Sequence, residues 1–183
     1  MTVHSTPIQG VFRVETRLLQ DERGSFYRAF CDTELDEILG SARLRQINVS
    51  QTDRVGAVRG LHFQHPPHAE TKMVRCLRGK VWDVVVDLRA GSSTFRNWHS
   101  EILSADNQWM LVVPPGCAHG FQVLSPESQL LYLHSHAYEP SSEGGVRYDD
   151  PGLAIQWPQE VTQVSLRDRS FALLPVDFPG ITL

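Results

Sequence analysis

Between residues 43 and 138 the chain alternates short apolar, β-branched runs with polar turns. The runs fall at 44–51, 57–64, 72–77, 80–88, 98–103, 108–113, 120–124 and 129–138. Turn residues separate them: Asp53-Arg54-Val55-Gly56, Arg78-Gly79, Ala90-Gly91-Ser92, Ser104-Ala105-Asp106-Asn107, Pro114-Pro115-Gly116 and Ser125-Pro126-Glu127. Runs of this length and composition predict strands. Upstream, residues 8–19 read as a strand or strand-bearing arm, Asp21 to Gly24 as a turn, and 25–31 as a second strand. One segment departs from the pattern. Residues 32–40 (DTELDEILG) predict a helix, with Thr33 and Asp36 resembling a capping box and Gly40 as the stop. About ten strands at roughly 8–12-residue spacing, with helix confined to the ends, predict an all-β sandwich or jelly roll. No repeat or linker divides the chain, so residues 1–183 predict one domain, with an N-terminal arm over 1–20 and a Pro-rich, irregular tail over 159–183.

Composition narrows the function classes. With 41% hydrophobic and 21% charged residues the chain is globular and long enough to bury one core. A net charge of −4 gives no basic field for nucleic acid, although local clusters can still hold a small anion such as a diphosphate. The first residues have neither a basic start nor an apolar core, and no run approaches the roughly 20 apolar residues of a membrane helix. Cys31, Cys76 and Cys117 are too few for a disulfide framework and fit no zinc spacing. A soluble, cytoplasmic protein is the expectation.

Candidate chemistry concentrates between Arg59 and Gly79, where His62, His65, His68, Glu70 and Lys72 lie between two strand-like runs. A metal-binding cupin places His-x-His on one strand, a Glu further on, and a later Pro-x-Gly-x-x-His. The later half is present as Pro114-Pro115-Gly116-Cys117-Ala118-His119, but Gln64 and Lys72 stand where the first-half ligands belong. Gln is a poor ligand for transition metals and an ammonium cannot ligate. His65 and His68 are split by Pro66-Pro67 and read as loop residues. The expectation is therefore no metal. What remains suits proton transfer beside a carbonyl: His62 as base and Lys72 as the cation that stabilises an enolate oxygen. In 131–138 (LYLHSHAY), period-2 alternation places Tyr132, His134, His136 and Tyr138 on one face, and a phenol suits proton donation from the opposite side. Arg75 and Arg89 read as solvated strand-end charges, Arg147 as a possible partner of Glu143, and Cys76 and Cys117 as small buried hydrophobes.

Together Arg59-Gly60-Leu61-His62-Phe63-Gln64, Lys72 with Val74-Arg75, 84–89 (VVVDLR), 115–121 (PGCAHGF), and Tyr148-Asp149-Asp150-Pro151 followed by Trp157-Pro158 resemble the dTDP-4-dehydrorhamnose 3,5-epimerase (RmlC-like) family, from about residue 14 to 169. The resemblance implies a cupin-type jelly roll with one or two short helices, a homodimer, and cofactor-independent epimerisation of a nucleotide-diphospho-4-keto-6-deoxyhexose. The expected substrate is dTDP-4-dehydro-6-deoxy-D-glucose and the expected product dTDP-4-dehydro-L-rhamnose. Carried over by motif, His62 resembles the base and Asp168 its dyad partner, Tyr132 the general acid and Lys72 the enolate stabiliser. His119 resembles a sugar-pocket residue. Arg23, Gln46, Asn48 and Arg59 resemble diphosphate and nucleoside contacts, with Phe26 and Tyr138 flanking the base, Glu143 near the sugar, and Arg167 where a basic residue is usual.

Arg28 departs from the pattern, standing where a Glu would accept from thymine N3–H. Arg only donates and cytosine N3 accepts, so Arg28 raises a CDP-linked sugar as an alternative. Epimerisation at C3 or C5 alone is a further alternative, because single epimerases of this kind keep the same groups. A non-catalytic sugar-nucleotide binder or a metal-dependent cupin enzyme is the reading from a different class.

Overall fold

The computed structural model describes residues 1–183. Its strands are β1 (Thr2–Ser5), β2 (Phe12–Glu15), β3 (Leu19–Asp21), β4 (Gly24–Phe26), β5 (Gln46–Thr52), β6 (Ala57–Gln64), β7 (Lys72–Arg78), β8 (Lys80–Asp87), β9 (Trp98–Ser104), β10 (Met110–Val113), β11 (Cys117–Val123), β12 (Ser128–His134), β13 (Glu143–Gly145) and β14 (Gln163–Val164). Two helices, α1 (Asp32–Leu39) and α2 (Leu166–Ser170), stand outside the sheets. One sheet runs β1-β2-β10-β7-β12-β5 and the other β13-β6-β11-β8-β9, with β14 added in parallel to β6. The remaining pairings are antiparallel, and the two sheets form a cupin-type jelly roll. β3 and β4 form a separate hairpin.

Three apolar clusters explain the strand sequences. Val74, Cys76, Leu111, Val113 and Leu130 of the first sheet meet Val81, Val85, Cys117, Phe121 and Val123 of the second between the layers. The outer face of the second sheet is covered by the chain after β13, where Val146, Leu153, Ile155 and Ile181 pack on Leu61, Val84 and Val86. On the outer face of the first sheet Leu35 and Leu39 of α1 pack with Met73, Met110 and Leu133. The central strands are thus buried on both faces, and β7, β8 and β11 are buried along most of their length without clean alternation. No helix is long and apolar enough to cross a membrane.

Several expectations are corrected. Helix α1 is preceded by Cys31, with no side-chain cap; Asp32 Oδ1 accepts from the Thr33 amide instead, so the Thr33–Asp36 box does not form. Gly40 does end the helix, at φ +54° with its N–H on Asp36 O. The strand expected over 25–31 shrinks to the tip hairpin, and β12 stops at His134, before Tyr138. Arg75 is fully buried: β7 is a central strand, and its guanidinium reaches Thr16 Oγ1 at 2.7 Å and Ala29 O at 3.3 Å, beneath the Tyr27 ring. Arg89 is bound to buried Asp87, at 2.9 Å from Nε to Oδ1.

Candidate active site

His62 sits on β6 directly opposite His119 of β11. A bulge in β6 sets up the wall. His119 and Phe121 of β11 pair with His62 and Arg59, three residues apart against two, so Arg59 and His62 share the inward face. Gly60 permits this: it lies at φ +128°, and a Cβ there would meet Gly120 Cα at 2.7 Å. The Gly60 N–H donates to Asp168 Oδ2 at 3.0 Å, while Asp168 Oδ1 lies 2.8 Å from His62 Nε2. Asp168 belongs to α2, whose N-cap Ser165 accepts from the Asp168 amide at 3.0 Å. Burial works against the Asp168 carboxylate, but the hydrogen bonds from His62, Gly60 and Ser165 outweigh it and hold its pKa below the ordinary value. The carboxylate therefore orients the imidazole. The Phe171 ring packs edge-on against His62 at 5.7 Å, over Gly145.

The opposite wall comes from the first sheet. Tyr132 of β12 pairs with Asn48 of β5, and His134 with Lys72 of β7, so all four face the cleft. The Tyr132 hydroxyl is 3.3 Å from Ser50 Oγ, and burial pushes its pKa upward against that hydrogen bond. Burial lowers the Lys72 pKa, with Glu70 and Asp83 acting against it. Asp83, fully buried, brings both oxygens to 2.9 Å from His119 Nε2. Burial pushes its carboxyl up, and His119 and Lys72 pull the other way. The cleft between the walls is about 230 Å³ and is lined by polar groups, with base, ammonium and phenol facing one volume. Such an arrangement can take a proton on one side of a small polar molecule, hold a developing oxyanion and return a proton from the other side.

At the mouth, Tyr138 donates to Glu143 Oε2 at 3.1 Å, and Arg167 closes on the other Glu143 oxygen. Arg147 pairs with Asp149 instead of Glu143. Arg59 is held by Thr52 Oγ1 at 2.8 Å and borders a second cleft that Arg54, Arg167 and Asp168 also line. Gln46 lies outside the cleft and accepts from the Tyr138 amide at 3.0 Å. Arg23 and Phe26 do not line it either: they project on the β3–β4 hairpin, with Phe26 71% exposed. Arg28 pairs with Glu34 of α1. Gln64 donates to His68 O and Ala137 O and accepts from the Glu139 amide, so it clamps two loops together. His68 bonds Ser142 Oγ, and its ring packs on His136 beyond the end of β12.

The family model described as dTDP-4-dehydrorhamnose 3,5-epimerase matches residues 5–175. The chain belongs to the dTDP-4-dehydrorhamnose 3,5-epimerase family. It is 41% identical over 160 residues to the enzyme of that name from Escherichia coli K12, covering 87% of this chain and 86% of the relative. It is 39% identical over 175 residues to a dTDP-4-dehydrorhamnose 3-epimerase from Streptomyces niveus, covering 95% of this chain and 84% of that one. The crystal structure of the Legionella pneumophila RmlC epimerase in complex with dTDP-4-keto-L-rhamnose superposes with a TM-score of 0.90 at 37% identity, covering 98% of this chain and 97% of that one.

Within this epimerase fold, nine of the residues expected at the site from sequence line the one cleft: His62, Lys72, Tyr132, His119, Asn48, Arg59, Tyr138, Glu143 and Arg167. Asp168 reaches it through His62. Sequence reasoning did not find Asp83, Glu70, His134, Ser50 or Phe171 as members of the site. Asp83 and Ser50 need the cross-strand register, and Phe171 needs the path of the tail. Glu70 and His134 carried a signal, since one lies two residues before Lys72 and the other two after Tyr132.

Proposed function

We propose that this epimerase inverts a dTDP-linked 4-keto-6-deoxyhexose, taking dTDP-4-dehydro-6-deoxy-D-glucose to dTDP-4-dehydro-L-rhamnose by way of an enolate. His62, backed by Asp168, removes the proton next to the C4 ketone. Lys72 binds the enolate oxygen, and Tyr132 returns a proton from the other face. The observation that carries this reading is the placement of His62 on one sheet and of Tyr132 with Lys72 on the other, all three lining one cleft. Arg59 and Arg167 stand where that cleft meets its neighbour. Two guanidiniums there suit a diphosphate lying between sugar and nucleoside.

The nucleoside end is completed by a second copy of the chain. Arg23 and Phe26 resemble nucleotide contacts yet lie on a hairpin that projects from its own body. The outer face of edge strand β5 is apolar, with Ile47 and Val49 58% and 59% exposed. A homodimer covers that face and lets the hairpin of one protomer serve the other's cleft. Arg28 meets Glu34 through Nη1 alone, so its remaining donors keep a CDP-linked sugar as the alternative.

Incubation with dTDP-4-dehydro-6-deoxy-D-glucose, read by NMR, tests the reaction: inversion at both C3 and C5 is expected. Inversion at C3 alone would place the chain with the 3-epimerases, and no inversion would overturn the reading. Light scattering should give twice the mass of the 20.7 kDa chain.

A further inference from the structure

A carboxylate–imidazole pair, Glu70 with His134, stands in the wall of the cleft and touches three of its working groups. Glu70 lies two residues before Lys72, so the extended chain brings both side chains to one side. His134 sits directly across from Lys72 in the β7–β12 pairing. Glu70 divides its carboxylate between them, with Oε1 3.6 Å from Lys72 Nζ and Oε2 2.9 Å from His134 Nδ1. The Nδ1 hydrogen of His134 thus points at Glu70, and its Nε2 faces the Asn48 amide nitrogen at 3.4 Å. The His134 ring lies nearly parallel to Tyr132, at 17° and 6.0 Å between centroids. The Glu70 side chain is 8% exposed. A solvated surface pair would be worth little, but a carboxylate this deep must be partnered.

We propose that Glu70 and His134 are positioning residues for the epimerisation: His134 orients the Glu70 carboxylate, and Glu70 tethers Lys72 at the cleft wall as a charged ammonium. The proposal rests on the reading of Lys72 as the enolate anchor. The ionisable groups that line the cleft with Lys72 are Glu70, His134 and Tyr132 on its own wall, His62, His119 and Arg59 on the other, and Tyr138, Glu143 and Arg167 at the mouth, with Asp83 behind His119. Asp83 has both oxygens on His119, so Glu70 is the carboxylate with an oxygen to spare for Lys72. Burial drives the Lys72 pKa down and Glu70 opposes that fall. Neutralising Glu70 therefore makes Lys72 release its proton at lower pH, and turnover that needs the ammonium fails at lower pH with it.

The chain has two lysines, Lys72 and Lys80, so protein labelled with ¹³C-lysine gives two Cε signals, with exposed Lys80 as the internal reference. In Glu70→Gln the Lys72 midpoint should fall by about one pH unit relative to the parent while Lys80 stays in place. The alkaline limb of kcat should fall by the same amount. Should Glu70→Gln fail to fold, His134→Gln carries the test, with a smaller fall in the same direction. An unmoved Lys72 midpoint in an active protein would overturn the role of the pair. A shifted midpoint in a protein that performs no epimerisation would instead sink the function, and with it the purpose of the pair.

Discussion

In the proposed mechanism His62 serves as base while its other side is held, and Asp168 is the group in contact with it. The Asp168 carboxylate has a lowered pKa, so it stays ionised down through the ordinary carboxylate range, and its loss should not limit the enzyme near neutrality. Asp168→Asn keeps the shape but offers His62 an amide donor, and should slow turnover on the order of 10²-fold without unfolding the chain; steady-state kinetics and circular dichroism would check this. Lys72 and Tyr132 shift in opposite directions, down and up. As pH rises, Lys72 is the first to lose its proton, so activity should fall through a pKa below the usual lysine value while the phenol stays protonated. Tyr132→Phe should therefore keep that alkaline limb in the rate of proton exchange and lose inversion; a limb that vanishes with Tyr132 would reassign it. His62, Lys72 and Tyr132 were legible in the sequence because strand alternation and fixed motif offsets place them. Asp83 was not, since nothing in VWDVVVD (81–87) tells which of two buried faces carries a carboxylate facing His119.

At the scale of elements, the bulge in β6 and the root of the hairpin matter most. Gly60→Ala adds a Cβ 2.7 Å from Gly120 Cα at φ +128°, and should cost about 1–3 kcal/mol and displace the His62–Asp168 dyad; denaturant melts and kinetics together would show both losses. Arg75 ties down both ends of the segment that carries the hairpin, through Thr16 before it and Ala29 after it. Arg75→Met keeps the apolar stem and removes the donors, and should cost about 1–3 kcal/mol. Hydrogen exchange should accelerate over residues 17–29 and leave β7 and β12 protected. The strands of the jelly roll were legible to within a few residues. The second helix and the true reach of β4 were not, because α2 is five residues long and the hairpin is stabilised by tertiary anchors rather than by its own pattern.

For the whole molecule, the N-terminal arm is stapled to the end of β8 by Asp87. It accepts from Arg89, Ser92 and Thr94, and Arg89 and Thr94 in turn hold Gln9 of the N-terminal arm. Burial opposes the charge, but these hydrogen bonds outweigh it and bring the pKa to about 2. A depressed carboxylate stabilises the fold above its unfolded pKa, and that stability is lost as pH falls toward 2. Asp87→Asn should therefore lower the melting temperature at neutral pH and narrow the gap between wild type and variant in acid, as pH-dependent calorimetry would read. The tail over 159–183 looked irregular in sequence because it is a cover: its apolar residues are spaced to fit the outer face of a sheet, with no period of their own.

The measurement closest to the chemistry is solvent deuterium uptake by dTDP-4-dehydro-6-deoxy-D-glucose, followed by NMR for the wild type and for His62→Asn. Wild-type protein should introduce deuterium at C3 and C5, and His62→Asn should introduce none above the uncatalysed rate. Exchange by the variant at a rate near that of the wild type would contradict His62 as the base.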